Sequence, residues 1–155
     1  PERLRRLMDV NFFATAEMIR AALPVLKQGV RPMIVNVSSI LGHRGIPHMS
    51  EYCASKFALQ GFSESLRAEL APLGVELLVV SPGTTQTDFH AHSVEQIQTP
   101  WPEQRGVTPE LVARRAAAAI RRGKHEIIVN ARGELLVLLN RLAPRLIDRL
   151  MARYG

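Results

Sequence analysis

The sequence predicts an α/β fold: a small parallel sheet of about three strands flanked by helices. Three observations carry this. Short runs rich in β-branched residues at 33–37, 75–80 and 125–130 read as buried strands. Longer helix-forming stretches separate them, and alternation of strand and helix implies parallel pairing through right-handed crossovers. Turn residues follow the strands directly, with Gly42, Gly45 and Pro47 after the first and Ser81-Pro82-Gly83 after the second. The carboxyl ends of strands are where open α/β sheets place their ligands.

The elements follow in order. A helix is expected over 2–26. The strand at 33–37 ends in Ser38-Ser39, and a loop runs to Met49. Ser50 is positioned to cap a helix over 50–71. The strand at 75–80 is stopped by the Pro-Gly turn, because proline fixes φ and glycine lets backbone approach closely. A lid containing Asp88, Phe89, His90, His92, Pro100, Trp101 and Pro102 is expected from there to about residue 107, and substrate contacts are expected from it. Thr108 caps the next helix to about residue 122, with Pro109 at its first position and Glu110 in its first turn. The third strand, 125–130, leads into a turn at Ala131-Arg132-Gly133. A final helix over 134–153 is interrupted at Pro144. Residues 1–133 form the expected domain body and 134–155 a helical extension.

Composition narrows the class. A chain of 155 residues is one domain, and its 46% apolar content is ordinary for a globular protein. The single cysteine, Cys53, excludes an internal disulfide and points to a reducing, cytoplasmic compartment. The net charge of +6 is spread along the chain, and aromatics make up only 5%. Nucleic-acid binding calls for clustered charge with stacking aromatics, so it is not expected. His90 and His92 have no third ligand at metal-binding spacing, so no metal site is expected.

The chemistry concentrates on Tyr52 and Lys56. On a helix, positions four apart share a face, so an ammonium stands beside a phenol. A phenol with a pKa of about 10 is a poor acid or base at neutral pH. A nearby cation favours the phenolate. Lowering the pKa by ~3 units takes about 4 kcal/mol of differential stabilisation and would bring the group near its working pH. Ser39, thirteen residues before Tyr52 at a strand end, can supply a hydroxyl to the same substrate oxygen. Ser38 is expected to be a strand-end hydroxyl satisfied by backbone.

Four pieces then fall in order: Asp-Val-Asn-Phe-Phe (9–13), Val-Asn-Val-Ser-Ser-Ile-Leu-Gly (35–42), Tyr-Cys-Ala-Ser-Lys-Phe-Ala-Leu (52–59) and Val-Ser-Pro-Gly-Thr-Thr-Gln-Thr (80–87). Together they resemble the short-chain dehydrogenase/reductase family in its compact, single-domain branch. The resemblance covers about residues 1–130. It implies a Rossmann-like doubly wound parallel sheet and an oxidoreductase that moves hydride between nicotinamide and a carbonyl or secondary alcohol. It makes Tyr52 the general acid–base. Lys56 would lower the Tyr52 pKa and bind the nicotinamide ribose. Ser39 would hold the substrate oxygen, and Asn11 would anchor a relay water leading to Lys56. Pro82, Gly83, Thr85 and Thr87 would face the nicotinamide and its carboxamide. NAD or NADP is the implied cofactor, NADP slightly favoured. A homodimer or tetramer is implied, built on the helices carrying Asn11 and Tyr52. Sugar-nucleotide epimerases share Tyr-x-x-x-Lys, but the Pro-Gly-x-x-x-Thr turn and short tail argue against them.

The family's Thr-Gly-x-x-x-Gly-x-Gly phosphate loop and its Asn-Asn-Ala-Gly stretch are missing from this sequence. Such a loop lets backbone amides and a helix N-terminus approach a pyrophosphate. The chain is therefore expected to be the C-terminal, catalytic half of the fold, about three strands, inactive alone. A non-catalytic fragment or scaffold is the alternative. A peripheral membrane protein is another, because leucines from Leu135 to Leu150 share the last helix with Arg141, Arg145, Arg149 and Arg153. That amphipathic pattern fits packing onto the body, a partner subunit, or a basic helix at a membrane surface. The membrane reading would go with a lipid-like substrate.

Overall fold

The computed structural model describes residues 1–87 and 106–154. The predicted lid residues from Asp88 to Pro102 lie outside the described residues. The fold is α/β, with three parallel strands in the order β1 (Met33–Val37), β2 (Glu76–Ser81), β3 (Glu126–Ile128). The helices are α1 (Glu2–Met8), α2 (Ala14–Leu26), α3 (Ser50–Leu70), α4 (Pro109–Arg121), α5 (Ala131–Leu142) and α6 (Pro144–Met151). In register, Met33 pairs with Glu76 and Val37 with Val80, while Val79 pairs with Glu126 and Ser81 with Ile128.

Central β2 is buried on both sides. Side chains alternate across a strand, and Leu77-Leu78-Val79-Val80 sorts into two cores. Leu77 and Val79 pack with Ile19 of α2, Leu70 of α3, Ile34 and Val75. Leu78 and Val80 pack with Ala119 of α4 and Val129. These four side chains are at most 1% exposed. Full burial of each stabilises by about 1.5–3 kcal/mol. A strand covered on both faces reads as a continuous apolar run, which is why this one was legible.

Local differences from expectation have physical causes. The helix over 2–26 carries a π-helical turn at Asp9–Phe13, and Asn11 sits inside it. Such bulges gather at functional positions. Ser50 does not cap α3: it is the first helical residue, and Met49 precedes it with no side-chain cap bond. Thr108 caps α4 as expected, its Oγ1 accepting from the Leu111 amide at 3.3 Å. Ala131-Arg132-Gly133 is not a turn. Asn130 Oδ1 accepts from the Gly133 amide at 2.6 Å and makes this segment the first turn of α5. β3 is correspondingly shorter than 125–130. The break at Pro144 is present, and the proline opens α6.

Leu78→Ala is expected to lose ~2–5 kcal/mol of unfolding free energy, the range for deleting a buried leucine side chain. Val35→Ala, at a half-exposed position on β1, should lose well under half as much. Urea titration of both variants checks this.

Candidate active site

The site is assembled from the carboxyl end of β1 and the first turns of α3. Beyond β1 the Ser38 amide donates to the Val80 carbonyl at 2.8 Å, and the Ile40 amide to the Pro82 carbonyl at 3.0 Å. The serine loop and the Pro-Gly turn are thus tied backbone to backbone. Ser39 Oγ accepts from the Leu41 amide at 3.1 Å and starts a short 3-10 turn, Ile40–Gly42. Gly42 then passes against α3. A Cβ there would lie 2.9 Å from the Lys56 carbonyl oxygen and 3.0 Å from Ser38 Oγ, so only glycine lets the loop come this close.

That approach brings Ser39 to Tyr52, and their hydroxyls hydrogen-bond. One turn on, Lys56 Nζ donates to the Val37 carbonyl at 3.3 Å and stands 5.8 Å from the Tyr52 ring centroid. Lys56 is only 9% exposed. Burial pushes the Tyr52 phenol above its ordinary pKa; the Ser39 hydrogen bond opposes this and the nearby Cys53 adds to it. Burial pulls Lys56 down. Both groups lose water, and burial acts on the phenol in the opposite sense to the neighbouring cation.

Asn11 lies close by. Its Nδ2 donates to Ser55 Oγ at 3.0 Å, and Ser55 Oγ donates to the Tyr52 carbonyl at 2.8 Å. The π-turn is thereby fastened to the helix carrying Tyr52 and Lys56. Ser38 departs from expectation: its Oγ is buried and has no hydrogen-bond partner among the described residues.

The Pro-Gly turn faces the same space. Thr85 Oγ1 donates to the Gly83 carbonyl at 3.0 Å, and Val107 pairs with this segment. The Val107 amide donates to the Thr84 carbonyl and the Gln86 amide to the Val107 carbonyl, each at 2.9 Å. A cavity of about 730 Å³ opens at the carboxyl ends of the strands. Ser39, Tyr52, Lys56, Pro82, Gly83, Thr85 and Thr87 all line it, together with apolar Ile46, Met49, Leu136 and Met151. Asn11 does not reach it directly.

Two contributors were not anticipated. Asn130 lines the cavity, and a Cβ on Gly83 would fall 2.8 Å from its Nδ2. Its signal was its placement as an N-cap. His43 braces the loop from behind, with Nε2 3.1 Å from Ser81 Oγ and 3.3 Å from Glu126 Oε1. No local pattern marked it, because its partners lie on β2 and β3.

Residues 1–98 match the family model described as short chain dehydrogenase. The chain belongs to the short-chain dehydrogenase/reductase family. It is 35% identical to an uncharacterized oxidoreductase, YxnA, of Bacillus subtilis, over 98% of this chain and 44% of that protein. It is 41% identical to a 3-ketodihydrosphingosine reductase of Bacteroides thetaiotaomicron, over 57% of this chain and 33% of that one. A short-chain dehydrogenase of Burkholderia cenocepacia, solved with NADP, superposes with a TM-score of 0.84 at 29% identity. That match covers 97% of this chain and 60% of the Burkholderia one. The chain spans less than half the length of these two curated relatives.

Gly42→Ala is expected to cost ~1–3 kcal/mol through forced repacking against α3, measured by chemical denaturation. His43 gives a pH test. Burial, the largest influence, lowers its pKa; Glu126 raises it, Arg141 lowers it and Glu64 raises it, with a net downward shift. The unfolded chain therefore takes up this proton first as pH falls below about 6.5. Stability is full above that pH and declines as pH drops through the folded-state value. His43→Gln should flatten the acid limb of a stability-against-pH curve.

Proposed function

We propose that this chain carries the catalytic centre of an oxidoreductase acting on a carbonyl or secondary alcohol. The observation that carries the reading is the Ser39–Tyr52 hydroxyl pair, with Lys56 one turn on, opening into one cavity beside the Pro-Gly turn. Tyr52 exchanges a proton with the substrate oxygen, and Ser39 holds that oxygen. A buried phenol with a raised pKa is protonated at neutral pH, the form that donates to a carbonyl. Lys56 would favour ionisation of the phenol and would bond the ribose hydroxyls of a nicotinamide cofactor, NAD or NADP. The Burkholderia cenocepacia neighbour was solved with NADP, and one from Burkholderia phymatum with NAD. When bound, that cofactor supplies or accepts the hydride. Pro82, Gly83, Thr85 and Thr87 would hold its nicotinamide end, with the Asn130 amide packed against Gly83 where a Cβ would otherwise lie. Asn11, held in place by its bond to Ser55, would anchor a relay water leading to Lys56.

The apolar lining supports a substrate with hydrocarbon beside the reacting carbon, in keeping with the lipid named for the Bacteroides relative. Exposed Val10, Phe13, Met18 and Phe57, on the segments carrying Asn11 and Tyr52, support a homo-oligomer. The single cysteine supports a cytoplasmic setting.

The sequence contains no glycine-rich phosphate loop, so the isolated chain should neither quench nor enhance NADPH fluorescence. Joined to the part of the Burkholderia neighbour that it does not cover, it should oxidise NADPH with hydrophobic ketones. Tyr52→Phe should lower that rate by about 10²–10⁴-fold while leaving NADPH binding intact. Turnover unchanged by Tyr52→Phe would reject the assignment.

A further inference from the structure

The helices α5 and α6 each carry a second apolar stripe that the body does not use. Val137 and Ile147 face inward, 4% and 3% exposed. On the loop after β1, Arg44 Nη1 donates to Asn140 Oδ1 at 2.9 Å and to Asp148 Oδ1 at 2.8 Å. His48 Nε2 lies 3.1 Å from the Tyr154 carbonyl oxygen. These ties hold the helix pair in one orientation. Leu135, Leu138, Leu139 and Leu142 then repeat at helical spacing on the outer side of α5, and Leu146 and Leu150 continue on α6. Leu142 is 73% exposed. Groups of exposed leucines on this scale mark an interaction surface.

The flanking charge selects the partner. Five arginines, Arg132, Arg141, Arg145, Arg149 and Arg153, accompany Glu134 and Asp148 in this segment, and Arg44 already pairs with Asp148. A second copy of the chain would bring the same arginines together across a two-fold axis. Protein interfaces also favour aromatic anchors in their centres, and this stripe is leucine alone. Anionic lipid headgroups complement the arginines, and the acyl boundary takes the leucines. No helix among the described residues is long and apolar enough to cross a membrane, so the contact is with a surface.

We propose that α5 and α6 dock this protein on an anionic membrane surface, leucines inserted and arginines at the headgroups. This stands apart from the oxidoreductase reading and is tested without turnover. The chain is sedimented with vesicles of phosphatidylcholine alone and of phosphatidylcholine mixed with phosphatidylserine. The expected result is capture by the mixed vesicles only, weakened by salt. Arg145→Gln and Arg149→Gln should each weaken capture about fivefold, from about 1 kcal/mol per arginine at the surface. Leu138→Glu with Leu142→Glu should abolish it while circular dichroism stays unchanged. Arg145→Gln with Arg149→Gln, combined, serves as a second variant should the glutamates unfold the chain. No capture by mixed vesicles, equal capture by neutral ones, or self-association through this stripe without lipid binding would overturn the proposal.

Discussion

Two-sided burial of β2 is the constraint on which the rest of the structure depends. Leu77 and Val79 commit one face to α2 and α3, and Leu78 and Val80 commit the other to α4. A one-residue slip would exchange the two faces. The register of β1 and β3 is therefore set by β2, and so is the level at which each strand ends. Ser39, the Pro-Gly turn and Asn130 all lie just past those ends, around one cavity.

From that frame the site needs only short-range devices. Backbone bonds from Ser38 to Val80 and from Ile40 to Pro82 align two loops of distant sequence. Gly42 closes the gap to α3, and the Ser39–Tyr52 bond follows. Asn11 is held to α3 through Ser55 rather than through Lys56. The polar bonds around the site are individually modest, about 0.5–1.5 kcal/mol each. Their value is positional, because each is supported by packing that does not depend on it.

Much of this was legible in the sequence. The apolar run of β2, the serine pair ending β1, the Thr108-Pro109 helix start and the Tyr52/Lys56 spacing are local patterns, and each appeared where expected. Ala131-Arg132-Gly133 reads as a turn in sequence, and one side-chain bond from the Asn130 cap makes it helical. The π-turn around Asn11 has no propensity signature and is tied down by Ser55, forty-four residues away. Spacing puts a cation beside a phenol but says nothing of how deeply both are buried, and burial is the largest influence on each. His43 was invisible for the same reason: Ser81 and Glu126 reach it only through the sheet.

The central claim is that Ser39 and Tyr52 form a preassembled pair in this chain. A double-mutant cycle on unfolding free energy, with Ser39→Ala, Tyr52→Phe and both together, tests it most directly. Preassembly predicts a coupling of about 0.5–1.5 kcal/mol, the net value of one such hydrogen bond. Additive effects of the two substitutions would contradict it.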